Sequence, residues 1–230
     1  MPPALPPISV DIWSDVVCPW CYIGKRRFER AIAVVAGEFE VDVTYHAFQL
    51  DPAAPPGTSE PLIEAYARKF GGIERAQQMI DRVTSIAAGD DIEFRLDRAR
   101  RANTRLAHRL IALATTNALD VAQDDLEERL MAAYFVDGLD IGDPDTLADC
   151  AAQLGTNRDH VLALLDSDAG VAEVEADLLA ARQLELTGVP AYVIERRWTI
   201  PGAQDSDTFV TVLRRVDERR RAELAADGDG

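Results

Sequence analysis

The alternation of apolar and polar positions in the first fifty residues predicts two β-strands flanking one helix. Residues 8–13 and residues 39–48 alternate as strands do, and the second run is rich in β-branched side chains. Between them, apolar residues recur at helical spacing from Cys21 to Val35, and Gly37 supplies a stop signal. This β–α–β order favours two parallel strands joined by a right-handed crossover.

The pattern changes at residues 51–57, where three prolines and a glycine mark a junction. From there the periodicity is helical, and the predicted helices cover residues 60–70, 74–88, 103–118, 123–136, 144–154, 158–165 and 168–186. Three of them have start signals, at Asn103 or Thr104, at Asp143-Pro144 and at Asn157. Because helices without a strand cannot extend a sheet, we predict a separate helical domain at residues 57–187.

Strand signals return near the end of the chain, at residues 191–194 and 197–200. The two residues between them, Glu195-Arg196, are short enough for a hairpin turn, so these strands are predicted to be antiparallel. An amphipathic helix follows at about residues 205–222. Regular structure is not expected at either end, in residues 1–7 and 225–230. Residues 1–56 and 188–230 together form the predicted α/β domain.

Composition narrows the function classes. The chain has 230 residues, 47% of them apolar, which is enough for a sizeable core. Its formal net charge of −16 argues against nucleic-acid and anionic-membrane partners. No apolar run is long enough to span a bilayer, and the first residues do not resemble a secretory signal. We therefore expect a cytoplasmic protein, where a cysteine pair is more suited to redox cycling than to a structural disulfide.

The candidate chemistry is in Cys18-Pro19-Trp20-Cys21, which lies between the first strand and the first helix. A sulfur at a helix N-terminus faces unpaired N–H groups and the positive end of the helix dipole, which stabilise a reactive thiolate. Pro19 suits the first helical turn because its missing N–H would have no partner there. The alternative is half a zinc site, but only Cys150 and three distant histidines remain as ligands.

Several stretches together carry a resemblance to a known family. They are residues 14–25 (SDVVCPWCYIGK), Asn103-Thr104 with residues 107–110, Gly188-Val189-Pro190 and Gly202-Ala203-Gln204. Over residues 8–216 the chain resembles the FrnE-like, cytoplasmic members of the DsbA family of thiol–disulfide oxidoreductases. The resemblance implies an α/β thioredoxin fold (βαβ followed by ββα, one mixed sheet) with a large all-helical insertion.

The resemblance also implies roles for individual residues. Cys18 is the attacking thiol and Cys21 the resolving thiol, with Pro190 in the cis form against the sulfurs. Val189 offers backbone groups to an extended substrate. Candidate substrate contacts are Trp20, Val189, Pro19, His108 and Asn103. The partner is expected to be a disulfide-containing protein or a small thiol or disulfide, with no cofactor beyond a low-molecular-weight thiol co-substrate, and the chain a monomer or homodimer.

Two other functions stay open. One is a thiol-dependent isomerase or transferase of the 2-hydroxychromene-2-carboxylate isomerase or kappa glutathione transferase type, since those proteins resemble this chain in fold. They generally carry a serine at the reactive position, whereas this sequence has both cysteines. The other is a non-enzymatic chaperone that uses an apolar groove of the helical domain.

The remaining polar candidates have structural interpretations as well. Asp15 is expected either to accept a proton from Cys21 or to cap the helix. His46 and His160 are assigned no role in the chemistry, and Cys150 is expected to be a small buried residue. Three charges follow the motif, Lys25, Arg26 and Arg27. We predict that they are exposed helix charges; the alternative is that they favour a thiolate or an anionic thiol.

Overall fold

A computed structural model describes residues 5–116 and 118–228. Its strands are β1 (Ile8–Ser14), β2 (Val41–Ala47), β3 (Glu60–Pro61), β4 (Arg100–Arg101), β5 (Ala191–Ile194) and β6 (Trp198–Pro201). Its α-helices are α1 (Pro19–Val35), α2 (Leu62–Phe70), α3 (Ile73–Ala88), α4 (Arg105–Leu113), α5 (Gln123–Ala132), α6 (Pro144–Gln153), α7 (Arg158–Asp166), α8 (Val171–Gln183) and α9 (Ser206–Gly228). This order gives an α/β fold in which a βαβ unit is followed by a long helical segment and then a ββα unit, as the sequence predicts.

Four strands form one mixed sheet in the order β2-β1-β5-β6. β1 and β2 are parallel, with Ile8 beside Val41 and Ser14 beside Ala47, which confirms the predicted crossover. β5 runs antiparallel to β1 and pairs with β6. β1 is therefore a central strand whose C-terminal end leads directly into the cysteine motif.

The predicted hairpin between β5 and β6 is confirmed. Glu195 and Arg196 have φ angles of 51° and 53°, so both central residues of the turn are left-handed. This is the geometry of a two-residue turn whose twist matches that of the strands. The backbone N–H of Ser9 donates to the Glu195 carboxylate over 2.8 Å, which ties the turn to β1.

Helix α1 packs on the sheet beside α9 through an aromatic cluster. The Phe28, Tyr192 and Phe209 rings lie within 5.1 Å of one another, centroid to centroid, and all three side chains are buried. Gly24 permits this close approach. A Cβ built on it would lie 2.5 Å from the Tyr192 hydroxyl and 3.1 Å from Pro190 Cγ. The absence of a side chain at Gly24 thus lets α1 lie directly against the Pro190 loop.

The region between β2 and β5 differs from the prediction most clearly in two places. First, β3 and β4 form a small antiparallel pair, although the sequence was expected to contain no strand in this region. The pair brings the two ends of residues 60–101 together, and Leu62 N–H donates to Ala99 O over 2.9 Å beside it. Two-residue strands carry too little periodicity to be detected. Second, the predicted helix 123–136 ends at Ala132 and continues as a π-helical turn over Ala133–Asp137.

The helix boundaries otherwise follow the start signals. Asp143 accepts a hydrogen bond from Thr146 N–H at the start of α6, and Asn157 accepts one from His160 N–H at the start of α7. Helix α4 is shorter than predicted and begins after Thr104, whose side chain does not cap it. Asn103 accepts from Arg105 N–H over 2.9 Å instead.

The inserted helices share one core with the sheet, and ion pairs reinforce the contact. Lys25, predicted to be exposed, is 3% exposed. Its ammonium pairs with Glu29 on its own helix and with Asp124 of α5, 2.7 Å away. The prediction for Lys25 was wrong because α5, which covers Lys25 and provides Asp124 as a partner, lies about one hundred residues away in sequence. Arg26 and Arg27 are partly exposed and also paired.

The ends of the chain differ in part from expectation. Residues 5–7 have no regular structure, whereas α9 continues to Gly228, so the prediction for residues 225–228 was wrong. The predictions for residues 1–4 and 229–230 concern residues that the structure does not describe. In the described part of the chain, no helix combines the length and apolarity needed to cross a bilayer. The division into residues 1–56 with 188–230 and residues 57–187 stays a prediction.

Candidate active site

Cys18 occupies the cap position at the N-terminus of α1. Its backbone is extended (φ −84°, ψ 114°), and Pro19 is the first helical residue. Cys18 N–H donates to Asp15 O over 2.8 Å, and Cys18 O accepts from Cys21 N–H over 3.0 Å. The Cys18 sulfur thus lies at the end of a 17-residue helix, where backbone N–H groups lack helical partners and the dipole favours negative charge.

The loop before β5 contacts this sulfur. The Val189–Pro190 peptide bond is cis, and Cys18 Sγ lies 3.6 Å from Val189 O. Residues 18 and 190 are thus neighbours in space, as the resemblance implies. The Cys18 and Cys21 side chains are both thiols and are only 3% and 2% exposed. Both cysteine side chains therefore have little contact with solvent in the reduced protein.

Cys21 faces the interior of the protein. Burial raises the pKa of its thiol well above the ordinary value, and the neighbouring Cys18 sulfur raises that pKa further. Hydrogen bonding to the Asp15 backbone and to the Ser14 side chain opposes the shift without reversing it. Cys21 therefore retains its proton more strongly than an exposed thiol and needs a base before it can attack a disulfide.

A carboxyl group that can act as this base is hydrogen-bonded to Ser14. Ser14 Oγ donates to Glu127 Oε1 over 2.8 Å, and Glu127 is 1% exposed. Burial raises the pKa of Glu127 above its ordinary value, although hydrogen bonding to Ser14 and the charges of His108 and Lys25 act against this. Ser14 thus bridges the Cys21 thiol and a buried carboxyl group of α5. Nothing in the local sequence around Glu127 distinguishes it from other helix carboxylates.

Asp15 and His108 form a second buried pair. His108 Nε2 lies 3.3 Å from Asp15 Oδ1, and both side chains are at most 3% exposed. Asp15 Oδ2 accepts from Leu50 N–H over 2.8 Å. Burial lowers the pKa of His108, but the hydrogen bond and the charges of Asp15 and Glu127 outweigh it and raise the pKa overall. The Asp15 carboxylate faces His108 and Leu50, while its backbone faces the cysteines.

The other predicted contacts lie at different depths. Trp20 is 42% exposed beside Pro19, on the outside of the motif. His108 is buried and contacts Asp15. Asn103 uses its side chain within the fold, accepting from Arg105 N–H and donating to Ala54 O over 2.7 Å. Substrate contact by these residues stays a prediction.

The recorded contacts of His46 and His160 are with residues other than Cys18 and Cys21, and Cys150 lies on α6. His46 bridges Asp11 and Asp177 over 2.9 and 2.7 Å. His160 is exposed and contacts Ala118 O. Cys150 is fully buried, as predicted. Within residues 5–116 and 118–228, no three His, Cys, Asp or Glu side chains are grouped so as to hold a metal ion.

Two cavities adjoin the residues on either side of the contact between Cys18 and Val189. One, of about 420 Å³, follows the stretch from Leu184 to Ala191 and includes Val189 and Pro190 in its wall. The other, of about 410 Å³, opens beside Val17 and is lined in part by Tyr66 and Tyr134. Sequence reasoning had no signal for either tyrosine, because both come from distant helical segments.

A dithiol at a helix N-terminus against a cis-proline loop defines a thioredoxin-fold redox protein. A family model described as DSBA-like thioredoxin domain matches residues 9–214. The chain belongs to this DsbA-like family, whose members are thiol–disulfide oxidoreductases that act on disulfide-containing substrates.

Similar individual proteins are known. The chain is 26% identical over 216 residues to the uncharacterised protein YwbO of Bacillus subtilis (strain 168), covering 93% of this chain and 98% of YwbO. It is 32% identical to a probable DsbA oxidoreductase, SCO1869, from Streptomyces coelicolor, with a TM-score of 0.83 over 90% of this chain and 89% of that one. The cytosolic disulfide reductase DsbM from Pseudomonas aeruginosa, solved with GSH, shares the fold at 18% identity (TM-score 0.62, covering 91% and 99%).

Proposed function

We propose that this protein catalyses thiol–disulfide exchange through Cys18 and Cys21. The observation that carries the proposal is the position of Cys18 Sγ at the start of α1, 3.6 Å from Val189 O beside Pro190. The Cys18 thiolate attacks a substrate disulfide, forms a mixed disulfide and releases one thiolate. Cys21 then attacks Cys18, closes the Cys18–Cys21 disulfide and releases the second thiolate. The reverse sequence oxidises a substrate dithiol.

The loop before β5 is the proposed binding surface for an extended substrate. The pairing of β5 with β1 includes Ala191 but not Val189, so the backbone at Val189 lies outside the sheet ladder. An extended peptide can hydrogen-bond to such a backbone without its sequence being read. The cavity that includes Val189 and Pro190 continues this surface, and Trp20 adds an exposed apolar rim.

We assign to Glu127 the role of the base that accepts the Cys21 proton, with the Ser14 hydroxyl as the relay between them. Resolution requires a Cys21 thiolate, and burial works against that form. The Ser14 hydroxyl contacts both groups, so a proton can pass from sulfur to hydroxyl as the hydroxyl proton passes to the carboxylate. The sequence leaves Asp15 either as this base or as a cap of the helix. The contacts of its carboxylate with Leu50 and His108 favour a positioning role instead.

The finer assignment is a FrnE-like oxidoreductase that reduces or isomerises disulfides in the cytoplasm. The similarity in fold to a cytosolic disulfide reductase supports this assignment. That neighbour was solved with GSH, which favours a low-molecular-weight thiol as the co-substrate here as well. The partner is then a disulfide-containing protein or a small disulfide.

The proposal is tested by an insulin-reduction assay with a dithiol reductant. We expect Cys18→Ser to abolish turnover above the uncatalysed rate. Cys150→Ala is the matched control, because Cys150 is also a buried free thiol but lies on α6. Equal turnover by wild type and Cys18→Ser would reject the proposal.

The two rival functions predict different results for Cys21. An isomerase or transferase that uses a single thiol retains its activity in Cys21→Ser. A chaperone suppresses aggregation even when both cysteines are replaced. Exchange through the pair predicts instead that Cys21→Ser accumulates a stable mixed disulfide on Cys18, which intact-protein mass spectrometry detects as a mass increase.

A further inference from the structure

The hydroxyl of Tyr192 is a buried polar group that has no part in the exchange described above. Tyr192 lies in β5, two residues after Pro190, and is 1% exposed. Its hydroxyl is closed to solvent and makes no hydrogen bond within the described residues. Buried hydroxyls in proteins are ordinarily hydrogen-bonded, and one that is not is a candidate for a redox or catalytic role.

Strand periodicity directs the Tyr192 side chain to the helix that carries the cysteines. Successive side chains of a strand point to opposite faces of the sheet. Tyr192 packs in the core cluster that includes Cys21. Its neighbours in the strand, Ala191 and Val193, pack with Trp13 in a separate cluster. Tyr192 therefore reaches the cysteine pair from the sheet, on the face covered by α1.

The position of the hydroxyl is fixed by packing around Gly24. The Phe28 and Phe209 rings hold the Tyr192 ring, with centroids 5.1 and 4.7 Å away. A Cβ built on Gly24 would lie 2.5 Å from Tyr192 Oη. Cys21 precedes Gly24 by three residues on α1, and side chains at this spacing are neighbours, about 5–6 Å apart at Cβ. The hydroxyl therefore lies on the face of α1 that carries Cys21, one side-chain position from its thiol.

The charges around this hydroxyl agree with that position. Burial raises the pKa of Tyr192 well above its ordinary value. Negative charge on Cys21, Cys18 and Glu29 raises the pKa further, and the charge of Arg27 acts in the opposite direction. The phenol therefore remains a neutral hydrogen-bond donor near neutral pH.

We propose that Tyr192 donates a hydrogen bond to the Cys21 sulfur when Cys21 becomes a thiolate, and thereby speeds resolution of the mixed disulfide. This rests on the proposed exchange function. The Cys21 proton passes through Ser14 to Glu127, while the phenol keeps its own proton. The Cys21 thiolate then forms a bond to Cys18 as the bond from Cys18 to the substrate sulfur breaks, and the substrate leaves as a thiolate with the bonding electron pair. Because a thiolate accepts a stronger hydrogen bond than a thiol, the donor favours the reacting state over the resting one.

The other groups that act on the ionisation of Cys21 come from α1, from the end of β1 and from α5. They are the Cys18 sulfur, the Ser14 hydroxyl, the Asp15 backbone and the Glu127 carboxyl group behind Ser14. None of these groups is removed when Tyr192 is replaced by phenylalanine, so that variant isolates the contribution of the phenol hydroxyl.

The first experiment separates attack by Cys18 from resolution by Cys21. Reduced Cys150→Ala protein, whose only thiols are the pair, is mixed by stopped flow with one equivalent of 5,5′-dithiobis(2-nitrobenzoate). Each of the two sulfur transfers releases one coloured thiolate. We expect Tyr192→Phe to change the first release less than about twofold and to slow the second about tenfold, the effect of losing a hydrogen bond to a charged group. The pH profile of the second step should move up by about one unit, since tenfold corresponds to one pKa unit.

Tyr22→Phe is the matched control, because it removes another buried hydroxyl, from α1 itself. The Tyr22 hydroxyl donates to Glu128 over 2.7 Å. Its loss should therefore lower the melting temperature and leave both release steps unchanged. Tyr192→Phe removes a hydroxyl that has no partner in the described part of the dithiol protein, so its melting temperature should equal or exceed that of the parent. A merely structural role of the hydroxyl predicts the opposite, a loss of stability with no shift in the pH profile.

The position of the hydroxyl is checked by combining Gly24→Ala with Tyr192→Phe. Phenylalanine lacks the atom nearest the added Cβ, so the double variant should regain part of the stability that Gly24→Ala loses. No regain overturns the placement of the hydroxyl and with it the proposal. Release rates of Tyr192→Phe that match the parent at every pH overturn it as well, and so does an equal slowing of both steps. If the parent shows both releases in these cases, only the role of Tyr192 has failed. Insulin reduction that persists in Cys18→Ser rejects the exchange function itself.

Discussion

The two sides of the cysteine pair differ in almost every physical property. On the outer side, Cys18 contacts a backbone carbonyl at Val189, near an exposed indole ring and between two open cavities. On the inner side, Cys21 contacts Ser14, with a buried carboxyl group behind it. The difference separates two tasks. In the proposed exchange, sulfur chemistry takes place on the side that adjoins the two cavities, and the accompanying proton transfer takes place where water has little access.

The sharpest way to break this comparison is to remove the inner base. We expect Glu127→Gln to slow release of substrate from the Cys18 mixed disulfide by about a hundredfold, because an amide cannot accept the Cys21 proton. Stopped-flow quenching of a preformed mixed disulfide measures this step. Asp125→Asn, an exposed carboxylate on the same helix, serves as the control. A release rate in Glu127→Gln close to that of wild type would remove Glu127 from the mechanism.

The outer side is perturbed by filling the space at Gly24. A Cβ there would lie 2.5 Å from the hydroxyl of Tyr192, whose ring is fixed among Phe28 and Phe209. We expect Gly24→Ala to lower the free energy of unfolding by about 2 kcal/mol, as overpacking does. Urea denaturation measures the change. Gly37→Ala is the control, because a Cβ there contacts nothing within 4 Å. Equal stability of the two variants would show that the packing of α1 against Tyr192 does not require a glycine at residue 24.

Asn103 tests whether a residue near the outer side serves the substrate or the fold. Its side chain contacts Arg105 N–H and Ala54 O. We expect Asn103→Ala to cost about 1 kcal/mol of stability, as loss of a helix-capping side chain does. Asn157→Ala, which removes the cap of α7, should cost a similar amount. A fall in insulin turnover in Asn103→Ala alone, measured below the melting range of both variants, would support the predicted substrate contact.

The smallest effect we predict is on the pH dependence of stability. Burial raises the folded-state pKa of Glu127 above its ordinary value of 4.5. An acid of raised pKa contributes stability below the unfolded pKa and loses it as pH rises through the folded pKa. Glu127→Gln should therefore gain in melting temperature relative to wild type as the pH rises above about 4.5. A difference in melting temperature that stays constant from about pH 4 to pH 8 contradicts this assignment.

The outer side of the site could be predicted from the sequence to a large extent. Local signals mark it: a strand ending at the motif, a proline at the first helical turn and a Val-Pro pair before another strand. The inner side could not be predicted in the same way. Ser14 and Glu127 are 113 residues apart, and only the packing of α5 on the neighbouring strand β2 brings them together. Periodicity reports which face of a helix is buried, but not which distant residue it meets.

The same limit explains the error at Lys25. Lys25 begins a run of three cations that follows the cysteine motif, and charges on a helix are ordinarily exposed. The inserted helix α5 covers this face and provides Asp124 and Glu128 as partners. Burial lowers the pKa of Lys25, but the charges of Glu29 and Asp124 and their hydrogen bonds to the ammonium outweigh burial and raise the pKa overall. The sequence around residue 25 contains only Glu29 of this network.

The low exposure of the Cys18 sulfur has a consequence for survival in an oxidising cell. A thiolate open to solvent is converted by peroxide to sulfenic acid and then irreversibly to sulfinic acid. In the reduced protein Cys18 is 3% exposed, and Cys21 lies one turn away as a thiol able to trap a first oxidation product as a disulfide. Low exposure and the neighbouring thiol together protect the Cys18 sulfur of the reduced protein from irreversible oxidation.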